Sequence, residues 1–191
     1  MRMFNSPPPH QLLIGLKFGT AAVDVWPVSR QQEKRRSYLG PMTLLARFYS
    51  AFARHDWATM GACYHPEAQF SDPVFPHLDA AHVRAMWKML LISGTDLRVE
   101  FRVIEETATE GRVEWDAWYT FGATGRKVHN RVSSTLVLKD GLILVQKDSF
   151  NFWRWSRQAL GISGLLLGWS SMLRGKVRGM AAKRLAKAMG G

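Results

Sequence analysis

The sequence predicts an α+β fold: helices first, then a curved antiparallel sheet that encloses a mostly apolar pocket, then a helical C-terminal extension. Two observations carry this. Apolar residues recur at helical spacing from about residue 43 to 92, and from Leu97 the period drops to two. A run of helices followed by a meander of strands packs as helices on one face of a sheet. A third observation, the placement of charge, marks off the ends. Residues 1–41 carry six Lys/Arg against two acids, residues 42–148 carry twelve against thirteen, and residues 149–191 carry eight against none. The net charge of +11 therefore sits on two appendages around a near-neutral middle, and does not by itself indicate a nucleic-acid-binding domain.

The elements follow in order. Thr43 caps a first helix whose buried face is Leu44, Leu45, Phe48 and Phe52. His55-Asp56 interrupts it, and Asp56 caps a short helix to about Tyr64. His65-Pro66 stops that helix, because a residue before proline is driven out of helical space. Residues 67–71 form a short extended piece, and Asp72-Pro73-Val74-Phe75-Pro76 a rigid turn. A third helix over 79–92 turns Val83, Met86, Trp87 and Leu90 inward. Leu97, Val99, Phe101 and Val103 then alternate with charged residues. Residues 112–121 repeat the pattern with Val113, Trp115, Ala117, Tyr119 and Phe121. A third strand covers 128–138, Asp140-Gly141 is a hairpin signal, and a last strand covers 142–152. From Trp153 the chain reads helical, broken near Gly161 and Gly168, and ends in an Ala/Lys/Arg-rich helix over 172–189. The organisation expected is a poorly ordered arm at 1–41, with translation beginning at Met42 as the plain alternative, a pocket domain at 42–155, and a basic amphipathic tail at 156–191.

Composition narrows the function. Eight Trp and ten Phe in 191 residues are enough to build a thick core and to wall a pocket for an apolar ligand. The single cysteine, Cys63, permits no intramolecular disulfide and reads as a small core residue in a reducing compartment. No run of 18 apolar residues and no signal-peptide pattern occurs, so the expected location is cytoplasmic, with a peripheral membrane association left open by the tail. The six histidines do not cluster with acids at ligand spacing, and no glycine-rich phosphate loop exists. Neither a metal nor a cofactor is expected.

Two acids stand on apolar ground. Asp72 lies between Phe70 and the proline-rich turn, where a turn carboxylate bonded to its own backbone is the plain reading. Asp148 shares its strand face with Leu142, Leu144, Gln146, Phe150 and Phe152. A carboxyl there is desolvated, which raises its pKa and suits it to proton transfer; the competing role is a structural carboxylate. A two-residue Asp140-Gly141 loop would set Ser133 opposite Asp148. A three-residue loop with a glycine bulge would set Val132 there and bring Asn130, Ser134 and Leu136 to the same face. The second matches apolar with apolar and is the one expected. His129 then faces away from the core.

Four segments in this order resemble the nuclear-transport-factor-2-like superfamily, which includes ketosteroid isomerases, limonene-epoxide hydrolases and SnoaL-like polyketide cyclases. They are Phe48-Tyr49-Ser50-Ala51-Phe52 with His55-Asp56, Tyr64-His65-Pro66-Glu67-Ala68, Phe70-Ser71-Asp72-Pro73-Val74, and Lys139-Asp140-Gly141-Leu142-Ile143 with Asp148-Ser149-Phe150. The resemblance covers about 42–155 and is nearest to bacterial SnoaL-like proteins ending in Phe152-Trp153-Arg154-Trp155. It implies a cone, a curved sheet wrapped around three helices, and a homodimer through the sheet. It also implies that Asp72 stands where the isomerases carry their proton-shuttling aspartate. Their enolate-stabilising tyrosine falls on Phe48, with Tyr49 adjacent, and its aspartate partner falls near Ser134. Asp148 matches an acid used by the hydrolases and cyclases. The hydrolases' Arg-x-Asp triplet has only Arg112-Val113-Glu114 as a counterpart.

The catalytic candidates are therefore Asp148 and Asp72, with Tyr49, Phe70, Trp87, Trp115, Tyr119, Ser134 and Phe152 as pocket walls. The function expected is general acid–base chemistry on a small apolar carbonyl or epoxide, of isomerase, cyclase or hydrolase type. The alternative is a non-catalytic module that binds an apolar ligand or lipid. The tail, with Leu165-Leu166-Leu167 and Trp169 before its cations, has three readings: docking on an anionic membrane surface, closing over the cone as a lid or dimer element, or lying packed with its charges in water. Nucleic acid is disfavoured as a partner, because no strand platform alternates aromatic with basic residues.

Overall fold

The computed structural model describes residues 42–190; the expectations for the arm at 1–41 lie outside the described residues. Thr43 Oγ1 accepts from the Ala46 amide and starts α1 (Leu44–Ala53). That helix buries Leu45, Phe48, Tyr49, Ala51 and Phe52, so Tyr49 joins the inner face beside Phe48. His55 takes a positive φ of 60° to turn the chain, and its ring is tied to the Leu97 carbonyl. Asp56 caps α2 (Trp57–Ala62) through the Thr59 amide.

β1 (Tyr64–Ser71) then runs directly out of α2, longer than the extended piece expected, and Tyr64 belongs to the strand and not to the helix. After the Asp72 turn come the two-residue β2 (Leu78–Asp79) and α3 (Ala80–Ser93), capped by Asp79 on the His82 amide. The long strands are β3 (Arg98–Glu106), β4 (Glu110–Phe121), β5 (Arg126–Lys139) and β6 (Leu142–Ser149). They form one curved, unclosed sheet of order β2-β1-β6-β5-β4-β3, with the core helices against it. The sheet is mixed and not purely antiparallel: β1 pairs parallel with β6. The two are far apart in sequence, so no hairpin constrains their relative direction.

The hairpin between β5 and β6 corrects both registers expected from the sequence. Asp140 and Gly141 both take positive φ, 54° and 71°, the requirement of a two-residue type I′ turn, and Lys139 pairs with Leu142. A bulge follows within the ladder, where Leu138 pairs with Ile143 but Val137 with Val145. The extra residue, Leu144, shifts the register so that Ser134, and neither Ser133 nor Val132, lies opposite Asp148. It also inverts the face. Ile143, Gln146 and Asp148 point inward, while Leu142 and Leu144 are only half-buried. On β5 the inward set is Val132, Ser134 and Leu136, as expected.

β6 ends at Ser149 and not at Phe152, because Asn151 caps a new helix, α4 (Phe152–Leu160), through the Arg154 amide. Two further helices follow, α5 (Ile162–Leu167) and α6 (Ser171–Ala188). α4 is pinned to the sheet by reciprocal bonds between the Gln158 amide and the His129 backbone. α6 packs against α3, buries Leu185 in the main core and Val177 beside Phe152 and Trp155, and its Arg178 Nε donates to the Pro73 carbonyl at 3.0 Å. Of the readings for the tail, its last helix is therefore docked on the domain, beside the Asp72 turn. Among the described residues no helix is long and apolar enough to cross a membrane.

Candidate active site

The inward face of β5 and β6 carries the polar centre. Asp148 is 4% exposed and sits opposite Ser134 across the ladder. Ser134 Oγ donates to Asp148 Oδ1 at 2.6 Å and accepts from Tyr49 Oη at 2.8 Å and Trp115 Nε1 at 2.9 Å. One donor and two acceptor positions exhaust a serine hydroxyl, so its role is fully specified. A second relay reaches the same oxygen. Trp87 Nε1 donates to Tyr64 Oη at 2.8 Å, Tyr64 Oη to Gln146 Oε1 at 2.5 Å, and Gln146 Nε2 to Asp148 Oδ1 at 3.0 Å. Both relays end on Oδ1, and among the described residues no donor reaches Oδ2.

The electrostatics follow from this geometry. Every group bonded to Asp148 is neutral. Burial raises its pKa to about 7 and the two hydrogen bonds offset only part of that, while the Asp72 carboxylate adds a smaller upward push. Burial likewise lifts the Tyr49 and Tyr64 phenols well above their ordinary range, so both remain donors.

Asp72 takes the turn arrangement expected of it. Its Oδ1 accepts from the Val74 amide at 2.7 Å and from the Phe75 amide, the turn-carboxylate arrangement. Burial nonetheless raises its pKa to about 6, against the pull of those amides and of Arg178. Near it, Tyr119 Oη accepts from Trp155 Nε1 at 2.9 Å. Burial first, and the Asp72 charge to a smaller degree, push that phenol up to about 12.

The structure thus joins Asp148, Ser134, Tyr49 and Trp115 by direct bonds. Trp87 is reached through Tyr64, and Phe70 packs edge-on to Trp87 at 5.9 Å. Phe152 lies in a second cluster with Trp155 and Val177, and Tyr119 packs against both that cluster and the main core, between the two. Phe152 comes from a helix and not from the strand face assigned to it. Three participants were missed as site residues: Gln146, Tyr64 and Arg178. Gln146 had a visible signal, a polar residue on an apolar strand face two positions from Asp148. Tyr64 and Arg178 had none, since only the β1–β6 pairing and the docking of α6 bring them in. Arg112 and Glu114 sit on the outer face, with Glu114 ion-paired to Arg102 at 2.8 Å, so the hydrolase-type triplet has no counterpart at this site. His129 is outward as expected, stacked on Trp118 and bonded to Asp116 at 2.5 Å. Cys63 is buried, its thiol donating to the Thr59 carbonyl. Among the described residues no group of three His, Cys, Asp or Glu side chains is placed to hold a metal. A groove of about 490 Å³ opens between α2 and α3, lined by Trp57, Arg84 and Lys88 among others; Tyr64 is its one link to the centre.

An α+β cone with a carboxyl buried on the inner face of its sheet defines the class. Residues 45–146 match the SnoaL-like domain, and the chain belongs to that family. Solved structures share the fold. A candidate polyketide cyclase from Pseudomonas putida is 16% identical, covering 62% of this chain and 99% of its own, with a TM-score of 0.55. IdmH from Streptomyces antibioticus, also a candidate polyketide cyclase, is 18% identical, covering 62% and 96%, with a TM-score of 0.52. A protein of unknown function from Burkholderia pseudomallei is 17% identical, covering 61% and 94%, with a TM-score of 0.53. No curated protein matches the sequence.

Proposed function

We propose that this SnoaL-like protein carries out general acid–base chemistry on a small apolar carbonyl compound, of isomerase or cyclase type, with Asp148 moving the proton. One observation carries the reading: a buried carboxyl with a pKa of about 7, bonded only by neutral donors and on one oxygen only. A group that titrates near neutral pH is suited both to take and to return a proton. With Oδ1 held by Ser134 and Gln146, Oδ2 is the oxygen that takes a proton from the carbon beside a carbonyl, and the resulting acid returns it to another position. The developing oxyanion needs a donor. The hydroxyls of Tyr49 and Tyr64 already donate to Ser134 and Gln146, whereas Tyr119 Oη accepts from Trp155 and donates to no acceptor among the described residues. Tyr119, held protonated by its raised pKa, is the donor this reading assigns. Asp72 is the second acid–base group. A carbonyl is favoured over an epoxide because Arg112 and Glu114 face away from the site.

A non-catalytic apolar-ligand module is the second reading. It is favoured by the completeness of the two relays, which also suits a carboxyl kept for structure. Thermal-shift screening of wild type and Asp148→Asn against enolisable cyclic ketones, epoxides and fatty acids, followed by turnover assays in the class that binds, separates the two. The catalytic reading expects binding by both proteins and turnover by wild type alone. Turnover undiminished in Asp148→Asn refutes it, and binding by both with no product supports the module.

A further inference from the structure

α5 inverts the usual order of a surface helix. Its small residues face the protein and its large ones face solvent. A Cβ on Gly164 would meet the Ser156 carbonyl oxygen at 1.8 Å, and one on Gly168, just after the helix, would meet Ser156 Oγ at 2.1 Å, so both glycines are what let this segment press onto α4. Outward stand Ile162 at 75% exposed, Leu166 at 62%, Trp169 at 73% and Met172 at 70%, with Leu165 and Trp153 beside them. Trp153 is tied into the same corner by its Nε1 bond to the Leu165 carbonyl. A contiguous exposed set of this kind marks an interaction surface.

Charge says what the surface fits. Residues 149–191 carry eight Lys/Arg and no acid, and among the described residues none of those eight takes part in an ion pair. Arg174 stacks on Phe152 and Arg178 bonds the Pro73 carbonyl, but Arg157, Lys176, Lys183, Arg184 and Lys187 stand exposed. A two-fold contact with a second copy would set this positive surface against itself. A nucleic-acid backbone offers no place for Ile162, Leu166 or Met172. An anionic bilayer surface takes both halves, acyl chains receiving the apolar corner, indoles lying at the interface, and lipid phosphates meeting the cations.

We propose that the α4–α5–α6 corner is a docking surface for an anionic lipid membrane, with α5, Trp169 and Met172 inserted at the interface. This moves the apolar contact to α5, since α6 spends Val177 and Leu185 on the domain. The docking is independent of any chemistry at Asp148. The test is flotation of the full chain with phosphatidylcholine vesicles, with and without phosphatidylglycerol, for wild type and for Leu166→Glu/Trp169→Glu. Both substituted side chains are exposed, so the fold is retained, and an unchanged circular dichroism melt verifies it. The expected result is a partition coefficient at least about tenfold higher on anionic than on neutral vesicles, and a loss of about tenfold or more in the double variant. Equal binding by variant and wild type overturns the proposal. So does no binding to anionic vesicles. A wild-type dimer in sedimentation velocity that the double variant abolishes, without any vesicle binding, assigns the corner to a second copy and overturns it as well.

Discussion

Replacing Asp148 by Asn is expected to stabilise the protein at alkaline pH and to leave it nearly unchanged in acid. The folded state keeps the Asp148 proton up to about pH 7, whereas a carboxyl of ordinary pKa 3.8 releases it far earlier in the unfolded chain. Between those values the folded state binds more protons than the unfolded one, so stability falls as pH rises through the window and is lowest above pH 7. A displacement of about three units at about 1.4 kcal/mol each gives a ceiling of about 4 kcal/mol. Asp148 is buried, so solvent screening removes little of it. In the variant Oδ1 still accepts from Ser134 and Gln146, and an uncharged NH₂ replaces Oδ2. The expected gain at pH 8 is about 2–4 kcal/mol, or about 5–15 °C in Tm for a protein of this size. Urea denaturation of both proteins at pH 4, 5, 6, 7 and 8 reads it out as a difference. That difference should be near zero at pH 4 and grow steadily to pH 8. A difference that does not change with pH, or an Asn variant less stable than wild type at pH 8, would show that Asp148 is stabilised as a carboxylate, and the electrostatic argument for its role would fall.

Other perturbations follow from the same geometry. Ser134→Ala leaves the Tyr49 hydroxyl and the Trp115 indole N–H buried without an acceptor, and should cost about 2–4 kcal/mol in urea denaturation. The same substitution removes a bond that lowers the Asp148 pKa, so carboxyl NMR titration should place that group higher than in wild type; an unchanged titration would contradict the relay. Asp72→Ala frees the Val74 and Phe75 amides and in urea denaturation should be about 1–3 kcal/mol less stable than Asp72→Asn, which keeps the acceptor. Because burial raises the folded Asp72 pKa to about 6, Asp72→Asn should itself gain on wild type as pH rises from about 4 to about 7. Gly164→Ala drives a methyl into the Ser156 carbonyl and should detach α5, seen as faster hydrogen exchange in α5 with the sheet unaffected. Leu185→Ala should undock α6 at a cost of about 2–5 kcal/mol or, if α6 frays alone, raise proteolysis within it while the main transition stays put.

Much of the candidate site was legible because burial and alternation are local properties. Asp148 stood out as an acid on an apolar strand face, and it is buried. Tyr49, Trp115 and Ser134 were named as walls and prove to be its bonded neighbours or next neighbours. What was not legible is how they meet. The I′ turn and the bulge at Leu144 together set the pairing of Ser134 with Asp148, and neither candidate register contained that combination. Alternation shows the face of a strand only as far as the next bulge; where an extra residue is absorbed both face and register change, as at Leu144, and packing decides where that is.

By itself the sequence determined the class of the fold, the caps of the first two helices, the switch from period 3.6 to period two, and the separation of a near-neutral middle from cationic ends. These follow from propensity, capping and solvation, which act over a few residues. The tertiary structure alone decided the parallel pairing of β1 with β6, which brings Tyr64 to Gln146, and the docking of α6 beside the Asp72 turn. It alone turned the large residues of α5 outward, since Gly168 could be read as a break, but neither it nor Gly164 as a contact face. Each of these joins segments distant in the chain, and such contacts are chosen by the shape and burial available once the core has formed, not by the residues next to them.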